Sequence, residues 1–302
     1  MKKPLPIVLD TDPGVDDFFC LAMVCAFPEE FSLRAVTTIG GNNSTEVTTK
    51  NALDILALFG KDAPVYPGAD HFTEEEFGEP VVFAHGHNGL ADVTLSASKR
   101  EPEKEKAWDA LYQIAKEENG ELVVVTVGPQ TNLALALLKY PSLKTKIRKI
   151  VMMGGTLGTG NISPYAEANV GNDAIASRVI FESGIPVDMI GLDTTRQCKV
   201  SLEEFEEMSE KTDPLIREIM RRMITFRKGE AMHDAAAFST LLDPEIVSWK
   251  TGTIRVETET PLTKGRTTIC ETPQGIHRAA YEPRRERYKE VFGRMLERYP
   301  AK

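Results

Sequence analysis

Asp10-Thr11-Asp12-Pro13-Gly14-Val15-Asp16-Asp17 closes a short apolar run, Ile7–Asp10, and opens a segment with helical spacing, Val15–Ala26. A strand that ends in a tight polar turn and leads straight into a helix is the unit from which parallel sheets are built. Pro13 and Gly14 tighten the turn, and Phe18, Phe19, Leu21, Ala22 and Val24 give the helix buried faces. Four carboxylates fall within the eight residues.

The same alternation continues along the chain. Leu33–Ile39 reads as a strand, and Thr45–Phe59 as a helix with Ser44 at its N-cap. Leu122–Val127 and Ile147–Met153 are β-branched or apolar runs, each followed by glycine, with helices expected over Asn132–Leu138 and Asp173–Glu182. Val187–Leu192 reads as a further strand. Glu203–Lys228 is richly charged and reads as helices at the rim, and Tyr281–Arg298 as a C-terminal amphipathic helix. No repeat or composition break marks a linker. The expected fold class is therefore α/β: a single domain, residues 1–302, with a mostly parallel, helix-covered sheet and an active site at the carboxyl ends of its strands.

Bulk composition narrows the function. The 302 residues carry a formal net charge of −9, which argues against a nucleic-acid phosphate binder. No apolar stretch approaches the length of a membrane span. Cys20, Cys25, Cys198 and Cys270 are scattered without a CxxC pair, so neither a disulfide framework nor a thiolate zinc site is indicated, and cytoplasmic residence is expected.

Polar residues just after the strands are where a ligand of such a sheet binds. Four acids in one turn repel unless a cation neutralises them. Helix capping accounts for Asp16 and Asp17 but leaves Asp10 and Asp12 without a reason. Oxygen-only donors point to a hard divalent ion, Ca²⁺ or Mg²⁺, rather than zinc. Other candidates are Gly40-Gly41-Asn42-Asn43, His85-Gly86-His87, the amide- and acid-rich Gly160–Asn169, and His233-Asp234, where capping by Asp234 is the alternative reading.

Taken in order, these residues resemble the nucleoside hydrolases, including the inosine-uridine-preferring type. The resemblance rests on DTDPGVDD at 10–17, Gly41-Asn42, His85-Gly86, Gly128-Pro129-Gln130-Thr131-Asn132-Leu133-Ala134, Met153-Gly154-Gly155, Gly160-Asn161, Ala166-Glu167-Ala168-Asn169 and His233-Asp234. It spans residues 10 to 234.

The resemblance implies hydrolysis of a ribonucleoside N-glycosidic bond by a Ca²⁺-activated water. Asp12 would be the general base and a metal ligand, beside the carboxylates of Asp17 and Asp234 and the main-chain carbonyl of Val127. Asp16, Asn42, Asn161, Glu167 and Asn169 would hold the ribose, with Met153 beneath the sugar and Asp10 in support. His85 would line the base pocket and His233 would be the leaving-group acid. A homodimer or homotetramer acting in purine or pyrimidine salvage, with no nucleic-acid or membrane partner, is also implied.

The sequence departs from the family at Gln130, at Asn172-Asp173-Ala174 and over Phe226–Ala231, which lacks the Tyr and Trp that often contact the base. Trp108 and Trp249 read as core or rim residues rather than a purine clamp. Two rivals are a haloacid dehalogenase-like phosphatase, which also carries an early DxD, and a non-catalytic ribose or nucleoside binder on the same fold.

Overall fold

The first strand, β1 (Leu5–Thr11), sends Ile7 and Leu9 into one apolar core and Val8 into another, and all three are fully buried. A strand covered on both faces reads as an unbroken apolar run, which is why it is visible in sequence. The structure, a computed structural model, describes residues 3–301. The chain continues through α1 (Val15–Ala26), β2 (Phe31–Thr38), α2 (Thr45–Leu58), β3 (Val65–Pro67), α3 (Val82–His85), α4 (Ala107–Glu118), β4 (Leu122–Thr126), α5 (Thr131–Lys139) and β5 (Ile147–Met153). Then follow α6 (Ala168–Asn172), α7 (Ala174–Glu182), β6 (Val187–Ile190), α8 (Leu192–Thr195), α9 (Leu202–Met208), α10 (Pro214–Phe226) and α11 (His233–Leu242). The chain closes with β7 (Val247–Val256), β8 (Thr267–Glu271), β9 (His277–Pro283) and α12 (Arg285–Glu297).

One nine-stranded sheet runs in the order β3-β2-β1-β4-β5-β6-β9-β7-β8. Neighbours from β3 to β9 are parallel, and β7 pairs antiparallel with β9 and β8. Residues of α1, α2, α10, α11 and α12 fill the core on one face, and those of α4, α5 and α7 fill the other.

The expected α/β architecture is therefore present, with differences in detail. The antiparallel extension β7-β8-β9 was not anticipated: β7 alternates buried and exposed residues near its end, Gly252 to Val256, so its solvent-facing half reads as polar loop. The C-terminal helix begins at Arg285, because Tyr281 belongs to β9. The strand expected over Val187–Leu192 stops at Ile190, where Gly191 caps the one-turn helix α8. The charged 203–228 segment does form helices, yet α10 buries Ile216, Ile219, Met220, Met223 and Ile224, so it is core as well as rim. Ser44 caps α2 as expected, accepting from the Val47 amide at 3.4 Å. Trp108 and Trp249 are half-buried and pack against the two cores.

The helix α11 carries Ala235, Ala236 and Ala237, all buried, and anchors itself with Phe238, whose ring centroid lies 5.0 Å from that of Phe31. Phe238→Ala should lower the free energy of unfolding by about 3–5 kcal/mol in a denaturant titration, as for other fully buried aromatic truncations.

Candidate active site

Strand order reverses at β1: the chain builds outward through β2 and β3 on one side and through β4, β5 and β6 on the other. Ligands of open α/β sheets bind in the crevice at such a point. Asp10 pairs with Thr126 across β1 and β4, so Asp12 emerges beside Val127-Gly128. A Cβ on Gly128 would stand 2.7 Å from Asp12 Oδ1, and one on Gly41 would meet Oδ2. Glycine at both positions is what lets backbone close around that carboxylate. On the other flank Thr11 pairs with Thr38, bringing the loop after β2 alongside. There the Asn42 amide donates to Asp12 Oδ2 at 2.8 Å, and its side chain donates to the Asp12 carbonyl and to Asp17 Oδ2, at 3.0 and 3.1 Å.

Two helix N-termini meet the same spot. Asp16 and Asp17 lie in the first turn of α1, and Asp234 in the first turn of α11. Exposed N–H groups and the helix dipole favour negative charge at both ends. The three carboxylates each bring an oxygen within 4.8 Å of the others. Asp17 is fully buried, accepting from the Thr11 hydroxyl and from the Gly14 amide at 3.0 Å.

The charges are unequally compensated. Burial, then repulsion from Asp17 and Asp16, holds the Asp12 pKa well above the carboxylate range. Asp17 rises to about 6 through burial and the Asp16 charge, despite its hydrogen bonds. Asp234 is raised by burial and by Asp16, Asp17 and Asp12 together. Asp16 goes the other way: burial opposes its ionisation, but Arg227, His85 and His233 outweigh that and lower its pKa. Asp12, Asp17 and Asp234 thus stay uncompensated, whereas the nearby positive charge of Arg227 favours ionised Asp16.

His85 accepts from the Val15 amide through Nδ1 at 3.0 Å, which leaves the proton on Nε2, and the same Nδ1 stands 3.8 Å from Asp16. Burial lowers its pKa to about 4. His233 is half-buried, with Nδ1 2.7 Å from the Thr195 hydroxyl on α8. Burial, with Arg227 and Arg196 adding to it, lowers its pKa to about 4 against the pull of Asp16. Both imidazoles are thus uncharged near neutral pH.

The remaining expected residues gather after β5. Met153 is buried, and the Asn169 side chain donates to the Val127 carbonyl at 2.8 Å and to the Met153 carbonyl at 3.2 Å. Glu167 caps α6: its oxygens accept from the amides of Gly155, Asn169 and Val170 at 2.8, 2.8 and 3.1 Å. Burial still raises its pKa to about 7. Asn161 is exposed at the loop tip, and its side chain has no protein partner among the described residues. Gln130 is buried, donating to the Gly128 carbonyl at 2.8 Å and accepting from Ser177 at 2.5 Å. That replaces packing with polar support of the same turn.

Sequence reasoning overlooked three supports. Asn132 donates to Asp10 Oδ1 and the Thr38 carbonyl and accepts from the Ala69 amide, tying together the ends of β1, β2 and β3. Thr37 donates to Asp10 Oδ1 at 2.6 Å. Asp10, with Oδ2 unpartnered, is a buried strut whose pKa burial lifts to about 6. Arg227, noticed only for what its segment lacks, is a buried cation whose charge helps lower the Asp16 pKa. Asn132 stood within a recognised motif; Arg227 carried no signal, because nothing in its neighbours marks a buried charge.

Comparison with known proteins gives a consistent picture. Residues 7–290 match the family described as "Inosine-uridine preferring nucleoside hydrolase". The non-specific ribonucleoside hydrolase RihC of Salmonella newport (strain SL254) is 33% identical over 273 residues, 89% of each chain. The purine-preferring ribonucleoside hydrolase from Gardnerella vaginalis superposes with a TM-score of 0.90 at 32% identity, over 96% of this chain and 98% of that one. The plant nucleoside hydrolase PpNRh1 superposes with a TM-score of 0.90 at 29% identity, over 97% and 99%.

Asp10, Asp12, Asp17, Glu167 and Asp234 all have raised folded-state pKa values, so the folded state binds more protons than the unfolded one and loses stability as pH rises. The depressed histidines act only below their ordinary range, near 6.5 and lower. Metal-free protein should therefore melt several degrees lower at a pH of about 8 than at about 6.5. Saturating divalent cation should remove the slope, as differential scanning calorimetry can read.

Proposed function

Because the chain belongs to the inosine-uridine preferring nucleoside hydrolase family and is an enzyme that hydrolyses the N-glycosidic bond of ribonucleosides, we propose how its own residues divide that work. The observation that carries the assignment is the unequal compensation of four buried carboxylates at the strand-order reversal. The three left uncompensated, Asp12, Asp17 and Asp234, would hold the metal on which the family depends, together with the Val127 carbonyl. The set is all oxygen, which fits Ca²⁺. When bound, such an ion neutralises the carboxylates and makes nearby water more acidic.

The chain's residues do the rest. Asp12, its charge disfavoured by burial, is suited to take the proton of the attacking water as general base. Asp16, held ionised, faces the sugar with Asn42, Asn161, Glu167 and Asn169. The side-chain oxygens of Asn42 and Asn169 accept no protein donor among the described residues, and each keeps its amide group engaged, so both are fixed acceptors for ribose hydroxyls. Met153 packs below the ring. Holding the hydroxyls orients C1′, and the ring of acid stabilises the positive charge that builds on the ribosyl group. His85 braces the metal turn from the base side. His233 starts uncharged and relays a solvent proton to the departing nitrogen once negative charge builds there.

The wider assignments follow from the same reading. The 302 residues act as one domain, assembled by family resemblance as a homodimer or homotetramer and working in nucleoside salvage. Four free cysteines, three of them buried, suit the reducing cytoplasm. Among the described residues no helix is long and apolar enough to cross a membrane.

Exhaustive chelation should abolish inosine and uridine hydrolysis, and Ca²⁺ should restore it. In the loaded enzyme, Asp12→Asn should cut kcat by roughly 10²–10⁴ with much less change in KM. Turnover near normal in either case would remove the metal or the base from the scheme. For His233→Ala, turnover of a natural nucleoside should fall by about 10²-fold while p-nitrophenyl riboside, whose phenolate leaves unprotonated, is nearly untouched. Equal losses on both would show that His233 only supports Asp234.

A further inference from the structure

Asn172-Asp173-Ala174, one of the departures in the sequence, has no part in these assignments, yet Asp173 is a carboxylate only 4% exposed. A charge that deep needs hydrogen-bond donors. Those that meet it are all uncharged. Oδ1 accepts from the Ala176 amide at 3.0 Å, which caps α7. Oδ2 accepts from the Thr73 amide at 2.8 Å and from the hydroxyls of Thr73 and Thr131 at 2.7 Å each. A helix cap requires only the first of these bonds. The others reach away from α7, to the first residue of α5 and to the loop 68–81.

That loop joins β3 to α3, and its residues 73–76 are exposed, so burial alone does little to fix them. Phe72, next to Thr73, packs edge-on against Phe77 with 4.7 Å between centroids. Phe77 in turn lies over Gly40, where a Cβ would collide with the ring. At the end of the loop the Val81 amide donates to the Asn42 carbonyl at 3.1 Å. The segment that presents Asn42 is therefore backed by this loop through Phe77 and through Val81. A second hold on the loop, Lys264 Nζ at 2.7 Å from Glu75, is partly solvent-exposed and contributes little. Asp173 is the buried anchor.

We infer that Asp173 is a positioning residue for ribose recognition: through Thr73 it holds the 68–81 loop against Gly40 and Asn42, and so fixes the Asn42 side chain as an acceptor for a ribose hydroxyl. The inference rests on the ribose role proposed for Asn42 above. An acceptor discriminates strongly for a hydroxyl only while it is held in place, because a loose one turns to other donors when the hydroxyl is missing. With Thr73 released, the exposed part of the loop gains freedom and Phe77 no longer backs Gly40. Asn42 then loses orientation, and the hydroxyl it meets contributes less to catalysis.

The test compares kcat/KM for inosine with that for 2′-deoxyinosine and 3′-deoxyinosine in metal-loaded wild type, Asp173→Ser, Thr73→Val, Thr73→Ser and Asn42→Ala. A deoxy substrate turned over too slowly is read by its inhibition constant against inosine. Serine at 173 keeps the α7 cap but is too short to reach Thr73. Thr73 is exposed, so replacing it costs the fold little. The ratio of the two substrates cancels any loss of folded enzyme, metal or general base, which slows both alike. The preference for inosine over at least one deoxy counterpart should fall about tenfold in Asp173→Ser and about fivefold in Thr73→Val. Thr73→Ser, which restores the hydroxyl, should keep it, and Asn42→Ala should lose it at the same hydroxyl. An unchanged preference in Asp173→Ser and Thr73→Val, beside a reduced one in Asn42→Ala, would overturn the inference alone. A preference that Asn42→Ala also leaves unchanged would overturn the ribose role of Asn42 with it.

Discussion

Burying several carboxylates in one crevice is the constraint on which the rest of this structure depends. Asp10, Asp12, Asp17, Asp234 and Glu167 are each no more than 3% exposed, and Asp16 only 8%. Charges removed from water to that degree repel strongly and resist ionisation. The fold answers with neutral and partial charges rather than a set of cations: backbone amides at Gly14, Asn42, Gly155, Asn169 and Val170, hydroxyls at Thr11 and Thr37, and the first turns of α1 and α11. These fall short for Asp12, Asp17 and Asp234, whose pKa values stay raised.

The architecture follows from placing those amides. Parallel pairing of β1 with both β2 and β4 delivers two loops to the same turn from opposite sides, so the Asn42 and Gly128 backbones reach Asp12 together. The alanines of α11 and the continuous burial of α1 bring two helix ends to one point, and Phe238 holds α11 in place. Asn132 then locks the tips of β1, β2 and β3. Rigid support of this kind keeps the acceptor groups oriented before a sugar arrives.

The crevice has two chemical sides. Around Asp12, Asp17 and Asp234 burial and mutual repulsion hold the carboxyl pKa values high. Around His85 and His233 burial keeps the imidazoles uncharged near neutral pH, with the buried Arg227 guanidinium nearby. Asp16 is the hinge between the two, lowered in pKa by groups on the base side while standing next to Asp17 in the chain.

Much of this was legible in the residues alone. The alternation of apolar runs and helical segments is local, and strands buried on both faces announce themselves, so β1, β4, β5 and α1 could be read directly. The DTDPGVDD turn, the glycines that must admit backbone and the ordered motifs down to His233-Asp234 sufficed for the family resemblance. The strands β7, β8 and β9 were not legible, because half-solvated antiparallel strands look like polar loop. Nor could sequence separate Asp16 from its three neighbours. All four are the same residue type, and only tertiary packing decides which carboxylate feels the Arg227 charge most and which is left uncompensated. Sequence thus determined the chemistry available and its order along the chain. The structure decided the sign and balance of charge at each group, because electrostatic energy depends on distance and burial, which residue type does not encode.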